Sequence, residues 1–447
     1  MGICKLAVVA LYQRECSHGA NPSSPSSFGT CETGTIMLSS VAVAFVLASC
    51  VLARPTVTVR NSPITLSFAR RINATGIQNL LKIDQARAKE IKNQSKAQRH
   101  NATSAAVFGV PATNQVVDYI LSVGVGSPPT QFDLLVDTGS SNTWVGAGRA
   151  FTVTSTTQTT GDLVEVVYGS GFVIGEEVID QITLAPGFVI ENQSIGVAIE
   201  DAGFDGLDGI IGIGPTDLTC GTLFPDETAC IATVTDNAFA QGLIDAHEVG
   251  ISFEPTNTLE STNGEISFGG IDTRKFTGDI TFVPITSSSP ANEFVGIDQT
   301  ITYGAAGTPI LDTTAGITDT GTTLLLIASD ALSAYEAATG AVPDNATGLL
   351  RLTPAQFANL ESLFFTIGGT TFEFTANAQA FPRALNTAIG GTNDFVYLIV
   401  GDIGSLSGEG VDFIDGMTFL ERFYTVFDSA GNRFGIATTP FTDATTN

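Results

Sequence analysis

The tripeptide Asp-Thr-Gly occurs twice, as Asp137-Thr138-Gly139 and Asp319-Thr320-Gly321, with two hydroxyl residues following each copy and an apolar run beside it. The copies lie 182 residues apart, about half of the chain that follows residue 105. One such tripeptide reads as a turn, and Asp312-Thr313-Thr314, which lacks the glycine, reads as plain loop. Two copies in matching contexts imply an internal repeat, two similar lobes each contributing one carboxylate. The first context, "LLVDTGSSNTW", sets Asp137 directly after Leu134, Leu135 and Val136. An ionised carboxylate near a core costs several kcal/mol unless it is paired or hydrogen-bonded, so an acid placed there twice needs a use.

The rest of the chain narrows that use by elimination. With 447 residues, one large or two medium domains are expected. The apolar runs are rich in Thr, Val, Ile and Phe, which favours strands over helices. After residue 105 only His247 is available, and one histidine cannot supply both a Ser-His-Asp base and a metal cage. No Walker or dinucleotide glycine pattern stands at a strand-to-helix junction, so no metal and no cofactor is expected. Carboxylates are abundant. A catalyst in this chain is a carboxylate.

Charge divides the chain. Residues 54–105 carry a net +8, whereas residues 106–447 carry −34, with Lys and Arg only at seven positions. A body this acidic excludes nucleic acid and anionic membrane surfaces as partners. The basic segment ahead of it reads as an electrostatic partner tethered in cis. A surface tuned for solubility or an acid habitat is the plain alternative.

The first 53 residues read as export machinery. From Met37, "MLSSVAVAFVLASCVLA" has an apolar run too short for a membrane span and ends in a small-residue cleavage pattern. Met37 is the expected translation start, with residues 1–36 an upstream extension. Five N-x-[ST] sequons, at Asn73, Asn93, Asn101, Asn192 and Asn345, fit secretion behind such a signal. Cys220 and Cys230 are the last two cysteines, and an oxidising compartment would allow a disulfide between them; two unpaired buried thiols are the alternative.

Further motifs accompany each half. "GLDGIIGIGP" (206–215) follows the first copy and "DFIDGMTFLERFYTVFD" (412–428) the second, each ending an apolar strand on a glycine that lets backbone approach backbone. Between the first copy and its glycine strand, "VEVVYGSGFVIGEEV" alternates around Tyr168-Gly169-Ser170-Gly171, the sign of a hairpin with a flexible tip. A large aromatic on such a tip suits a lid over a cleft; an ordinary exposed hairpin is the plain reading.

Taken together, "LLVDTGSSNTW", "YGSG", "DGIIGIGPTDLT", "DTGTTL" and "FLERFYTVFD" resemble the pepsin-family aspartic proteases, and within them the secreted basidiomycete enzymes, over residues 106–447. The resemblance implies a bilobal, all-β fold with few short helices and a cleft between pseudo-twofold lobes, at 106–285 and 286–447. It implies an endopeptidase made as a zymogen, with protein and peptide substrates, an inhibitory propeptide at 54–105, and action as a secreted monomer. Asp137 and Asp319 would be the catalytic pair, sharing one proton because two carboxylates within about 3 Å cannot both ionise. Thr138-Gly139 and Thr320-Gly321 would make the tight turns presenting them, and Ser140 and Thr322 would hydrogen-bond their outer oxygens. Tyr168, with Gly169 and Ser170, would form the flap, and Trp144 would hold Tyr168. Lys96 or Lys92 of the propeptide is expected to enter the cleft opposite the pair, and the mature chain to begin near Ala105 or Ala106.

Two departures stand out. Ile414-Asp415-Gly416 puts an acid where relatives carry an apolar residue, and Met417 replaces a frequent acid. Ser170 stands where some fungal relatives have Asp, so bulky apolar residues around the scissile bond are expected rather than lysine. A glycosidase also uses two carboxylates, about 5 to 9 Å apart, but its cleft is usually aromatic and this chain has the single tryptophan Trp144. An inactive pepsin-like binding protein is the alternative that keeps the fold, and a storage protein would leave the doubled motif unexplained.

Overall fold

The computed structural model describes residues 63–72, 80–99, 117–169 and 171–447. The signal and extension readings, Asn73, Asn101, Ser170 and the cleavage point near Ala105 lie outside the described residues. The fold is mostly strands with few helices, and it is built twice. In the first half, Thr130–Asp137 runs parallel to Gly209–Gly212, which pairs antiparallel with Thr143–Val145. In the second, Thr308–Thr318 runs parallel to Phe413–Asp415, which pairs antiparallel with Leu325–Ile327. Each aspartate therefore leaves a strand that is flanked by the glycine strand of its own half.

Close approach explains those glycines. A Cβ on Gly212 would lie 2.5 Å from the Ser141 backbone, and one on Gly416 would lie 2.2 Å from the Leu324 carbonyl. The expected hairpin forms from Gln158–Tyr168 and Gly171–Ala185, with Tyr168 opposite Gly171. Cys220 and Cys230 form a disulfide. Asn93, Asn192 and Asn345 are exposed. His247 is half-buried, its Nε2 2.8 Å from Asp236 and its ring stacked on Phe239.

A 14-stranded sheet draws on both sides of residue 285: Phe423–Asp428 pairs with Glu248–Ser252, and Arg433–Thr438 with Thr277–Pro284. Into this sheet the basic segment inserts a strand of its own. Ile64–Ile72 lies between Glu260–Phe268 and Val117–Val125, antiparallel to both. The insertion reaches the core, where Phe68 meets the rings of Tyr119 and Phe253 edge-on. Arg70 is buried beside Glu421, with Nε 3.3 Å from the carboxylate, and Tyr119 donates to the same oxygen. A buried ion pair needs such additional donors to offset desolvation.

The second piece of the basic segment is the helix Leu80–Arg99. Leu80, Ile83, Asp84, Arg87, Ala88 and Ile91 are buried, a spacing of three and four that defines one helical face. Asp84 and Arg87 are charged residues on that apolar face, and Lys92, also buried, follows at its edge. Among the described residues, no helix is long and apolar enough to cross a membrane.

Candidate active site

The repeat brings Asp137 and Asp319 together at the floor of a cleft, both fully buried. Each turn supplies its own support. Gly139 N–H donates to Asp137 Oδ1 at 2.9 Å and Ser140 Oγ to Oδ2 at 2.6 Å. Gly321 N–H donates to Asp319 Oδ1 at 2.9 Å and Thr322 Oγ1 to Oδ2 at 2.6 Å. The small hydroxyl residues beside each acid are thus its donors, and this offsets the cost of burying it. Across the halves, Thr138 N–H donates to Thr320 Oγ1 and Thr320 N–H to Thr138 Oγ1, both at 3.0 Å. The two turns are locked to each other by the same residue used twice.

The hairpin closes over them. Trp144 Nε1 donates to the Tyr168 hydroxyl at 2.9 Å, and Phe204 packs edge-on against both rings. The tip reaches the helix of the basic segment: a Cβ on Gly169 would lie 2.0 Å from Arg87 Cα.

Arg87, and not Lys92, reaches the two carboxyls. Its Nε donates to Asp319 Oδ2 and its Nη2 to Asp137 Oδ1, both at 2.6 Å, and Nη2 also reaches Asp319 Oδ1 at 3.0 Å. The expectation for Lys92 is corrected: it lies further along the helix, bonded to Ser405 Oγ and 3.7 Å from Glu409 at the rim. The side chain of Lys96 lies outside the described residues. Position along the helix is the reason: Arg87 sits on the buried face three residues after Asp84, and Lys92 follows five residues further on. That spacing in "LLKIDQARAKEI" was the available signal, and Arg also matches two carboxylates better than Lys because its planar fork donates in two directions.

Electrostatics follow the contacts. Burial pushes the Asp137 carboxyl above its ordinary range, opposed by Arg87 and reinforced by Asp319. Burial also raises Asp319, but the guanidinium, with Thr322 and Gly321, holds it below its ordinary range. Asp84 accepts from Leu324 N–H at 2.8 Å and Thr323 N–H at 3.3 Å. Burial nonetheless pushes it up to about 7. Among the described residues, no cluster of His, Cys, Asp and Glu has the makings of a metal site. The arrangement offers two neighbouring, buried carboxyls of unequal proton affinity, which is the equipment of general acid–base chemistry.

Comparison with known proteins gives a consistent result. The family model described as Eukaryotic aspartyl protease matches residues 118–439. Polyporopepsin of Irpex lacteus is 62% identical over 342 residues, 76% of this chain and 100% of that protein. Pepsin A of Suncus murinus is 28% identical over 367 residues, 77% of this chain and 88% of that protein. The crystal structure of the aspartic proteinase from Irpex lacteus superposes with a TM-score of 0.72, covering 74% of this chain and 96% of that one.

Proposed function

This chain belongs to the eukaryotic aspartyl protease family and is an aspartic-type endopeptidase of bilobal pepsin-like fold, and from that premise we propose that it is secreted as a zymogen and cleaves proteins in acid through Asp137 and Asp319. The observation that carries the reading is Arg87 bridging the two carboxyls at 2.6 Å to each. A cation in that place occupies the ground on which a substrate carbonyl and an attacking water would stand. Residues 54–105 then act as an inhibitory propeptide, and the lobes 106–285 and 286–447 meet at the pair.

Once Arg87 leaves, like charges at close range keep one proton between the carboxyls in acid. The ionised member takes a proton from water as the oxygen attacks the peptide carbonyl. The protonated member donates to the carbonyl oxygen, and a proton then passes to the leaving nitrogen. The proton count is unchanged over the cycle. Ser140 and Thr322 orient the pair, Tyr168 held by Trp144 closes the flap, and the Thr138–Thr320 exchange keeps the two carboxyls in register. Bulky apolar residues flanking the scissile bond are preferred, and the enzyme works as a monomer outside the cell, glycosylated at Asn192 and Asn345.

Leader loss tests the zymogen. Purified full-length protein, shifted from pH 7 to pH 3, should lose its basic segment near Ala105 or Ala106 by mass spectrometry, whereas Asp319→Asn should keep it. Equal loss at pH 7, or loss in the variant, would contradict the proposal.

A further inference from the structure

Asp415 is a fully buried carboxyl that the chemistry above does not use. It ends the strand Phe413–Asp415, opposite Thr318 of the neighbouring parallel strand. Its backbone carbonyl accepts the N–H of Asp319 at 3.2 Å, so it sits directly behind one of the two cleft carboxyls. Its side chain has one donor, Gln299 Nε2, at 3.1 Å from Oδ1. Gln299 is buried too. The other two oxygens of this pair, Asp415 Oδ2 and Gln299 Oε1, have no partner among the described residues.

Among the described residues, the elements packed against it offer no counter-charge. The strand Gly296–Tyr303 contributes Gln299, the strand Thr308–Thr318 contributes Thr318, and the strand Leu325–Ile327 contributes only Leu and Ile. The helix Met417–Leu420 brings Met, Thr, Phe and Leu. The ionisable neighbour is Asp319, another acid. A carboxylate buried without a cation is far more costly than a carboxylic acid. An ionised Asp415 would leave one amide donor facing three acceptors. A protonated one supplies the missing O–H, and acid and amide can then satisfy each other. Burial accordingly pushes Asp415 up to about 8, opposed only by the Gln299 bond.

We propose that Asp415 is a positioning residue that works as a neutral acid bonded to Gln299, and that its ionisation sets the alkaline limit of the strands that seat Asp319. The inference rests on the reading of Asp319 as one of the catalytic pair. The sign is fixed by linkage. The folded state holds the proton more tightly than the unfolded chain, so the contribution to stability is full below about pH 4. It declines as the pH rises through about 8.

The test uses activated enzyme, wild type beside Asp415→Asn, which keeps the shape and supplies a permanent N–H donor. Acid-side kcat and KM should stay within about threefold. The half-life of activity at pH 7 should lengthen about tenfold or more. Infrared spectra of the enzyme labelled with 13C-aspartate should show a protonated carboxyl at pH 7 that is missing from the variant. An unchanged or shorter half-life, an unchanged infrared band, or collapse of acid-side activity in the folded variant would overturn the proposal. A wild-type spectrum with no protonated aspartic acid at pH 7 would overturn it however the variant folds. Because that readout follows a proton and not turnover, it stands or falls separately from the role given to Asp319.

Discussion

Arg87 grips Asp319 with two nitrogens, Nε to Oδ2 at 2.6 Å and Nη2 to Oδ1 at 3.0 Å. Asp319 is held below its ordinary range by this contact. Such a pair contributes stability above the ordinary carboxylate pKa and loses it as the pH falls through the lowered one. Acid therefore loosens the propeptide from inside the cleft. Asp137 and Asp84 run the other way, since burial pushes both carboxyls up, Asp84 to about 7, and release is driven against them. Replacing Arg87 by Ala leaves buried carboxylates without their cation, at a cost of about 3–5 kcal/mol. The variant should lose its leader at a less acid pH than wild type, read by mass spectrometry along a pH series; an unchanged onset would place the hold elsewhere.

The propeptide strand has its own buried pair. Arg70 lies against Glu421, whose carboxyl burial raises while Arg70, Arg422 and Tyr119 oppose the rise. A raised carboxyl gives its full stability in acid and loses it as the pH climbs through the folded value, and removing Arg70 raises it further. Arg70→Met should therefore destabilise the full-length protein by about 3 kcal/mol or more at pH 7 and by much less at pH 3. Urea unfolding at the two pH values measures the difference, and an equal loss at both would show that Arg70 acts by packing alone.

Trp144 and Tyr168 exchange one hydrogen bond, 2.9 Å long. Trp144→Phe removes the donor and retains most of the apolar contact with Phe204. A net hydrogen bond of about 1 kcal/mol corresponds to a fall of about fivefold in kcat/KM. Steady-state kinetics on a peptide, at a temperature where circular dichroism shows the variant folded, would meet the expectation; unchanged kinetics would remove Trp144 from flap control.

Gly416 lets the glycine strand pass the turn that follows Asp319. A Cβ there would lie 2.2 Å from the Leu324 carbonyl and 2.7 Å from that of Thr322. Overpacking of this kind costs about 1–3 kcal/mol and shifts the backbone. Gly416→Ala should lower kcat by far more than it raises KM, because it displaces Thr322 beneath Asp319. A variant as active as wild type would mean that the strand yields without moving the carboxyl.

The doubled motif was legible because the same local problem is solved twice: a buried acid, a tight turn and hydroxyl donors within three residues. The glycine strands and the hairpin were legible for the same local reason. Arg87 was missed because basic residues were weighed by charge, whereas both Arg87 and Lys92 are buried and only their positions along the helix bring Arg87 to the pair and Lys92 to Ser405 and Glu409. The pairing of Phe423–Asp428 with Glu248–Ser252 was not legible, since strand partners far apart in the chain leave no local pattern. Asp415 showed as a departure, but its partner Gln299 lies 116 residues away.

The central claim is that Asp137 and Asp319 act as one proton-sharing pair, and proteolysis of an acid-denatured protein from pH 2 to 7 tests it most directly. Activated wild type should cut only on the acid side, and Asp319→Asn, freed of its propeptide by another protease, should lose about 10⁴-fold or more in kcat. Near-wild-type cleavage by the folded variant would contradict the claim. Absence of cleavage by both, with the propeptide demonstrably gone, would contradict it equally.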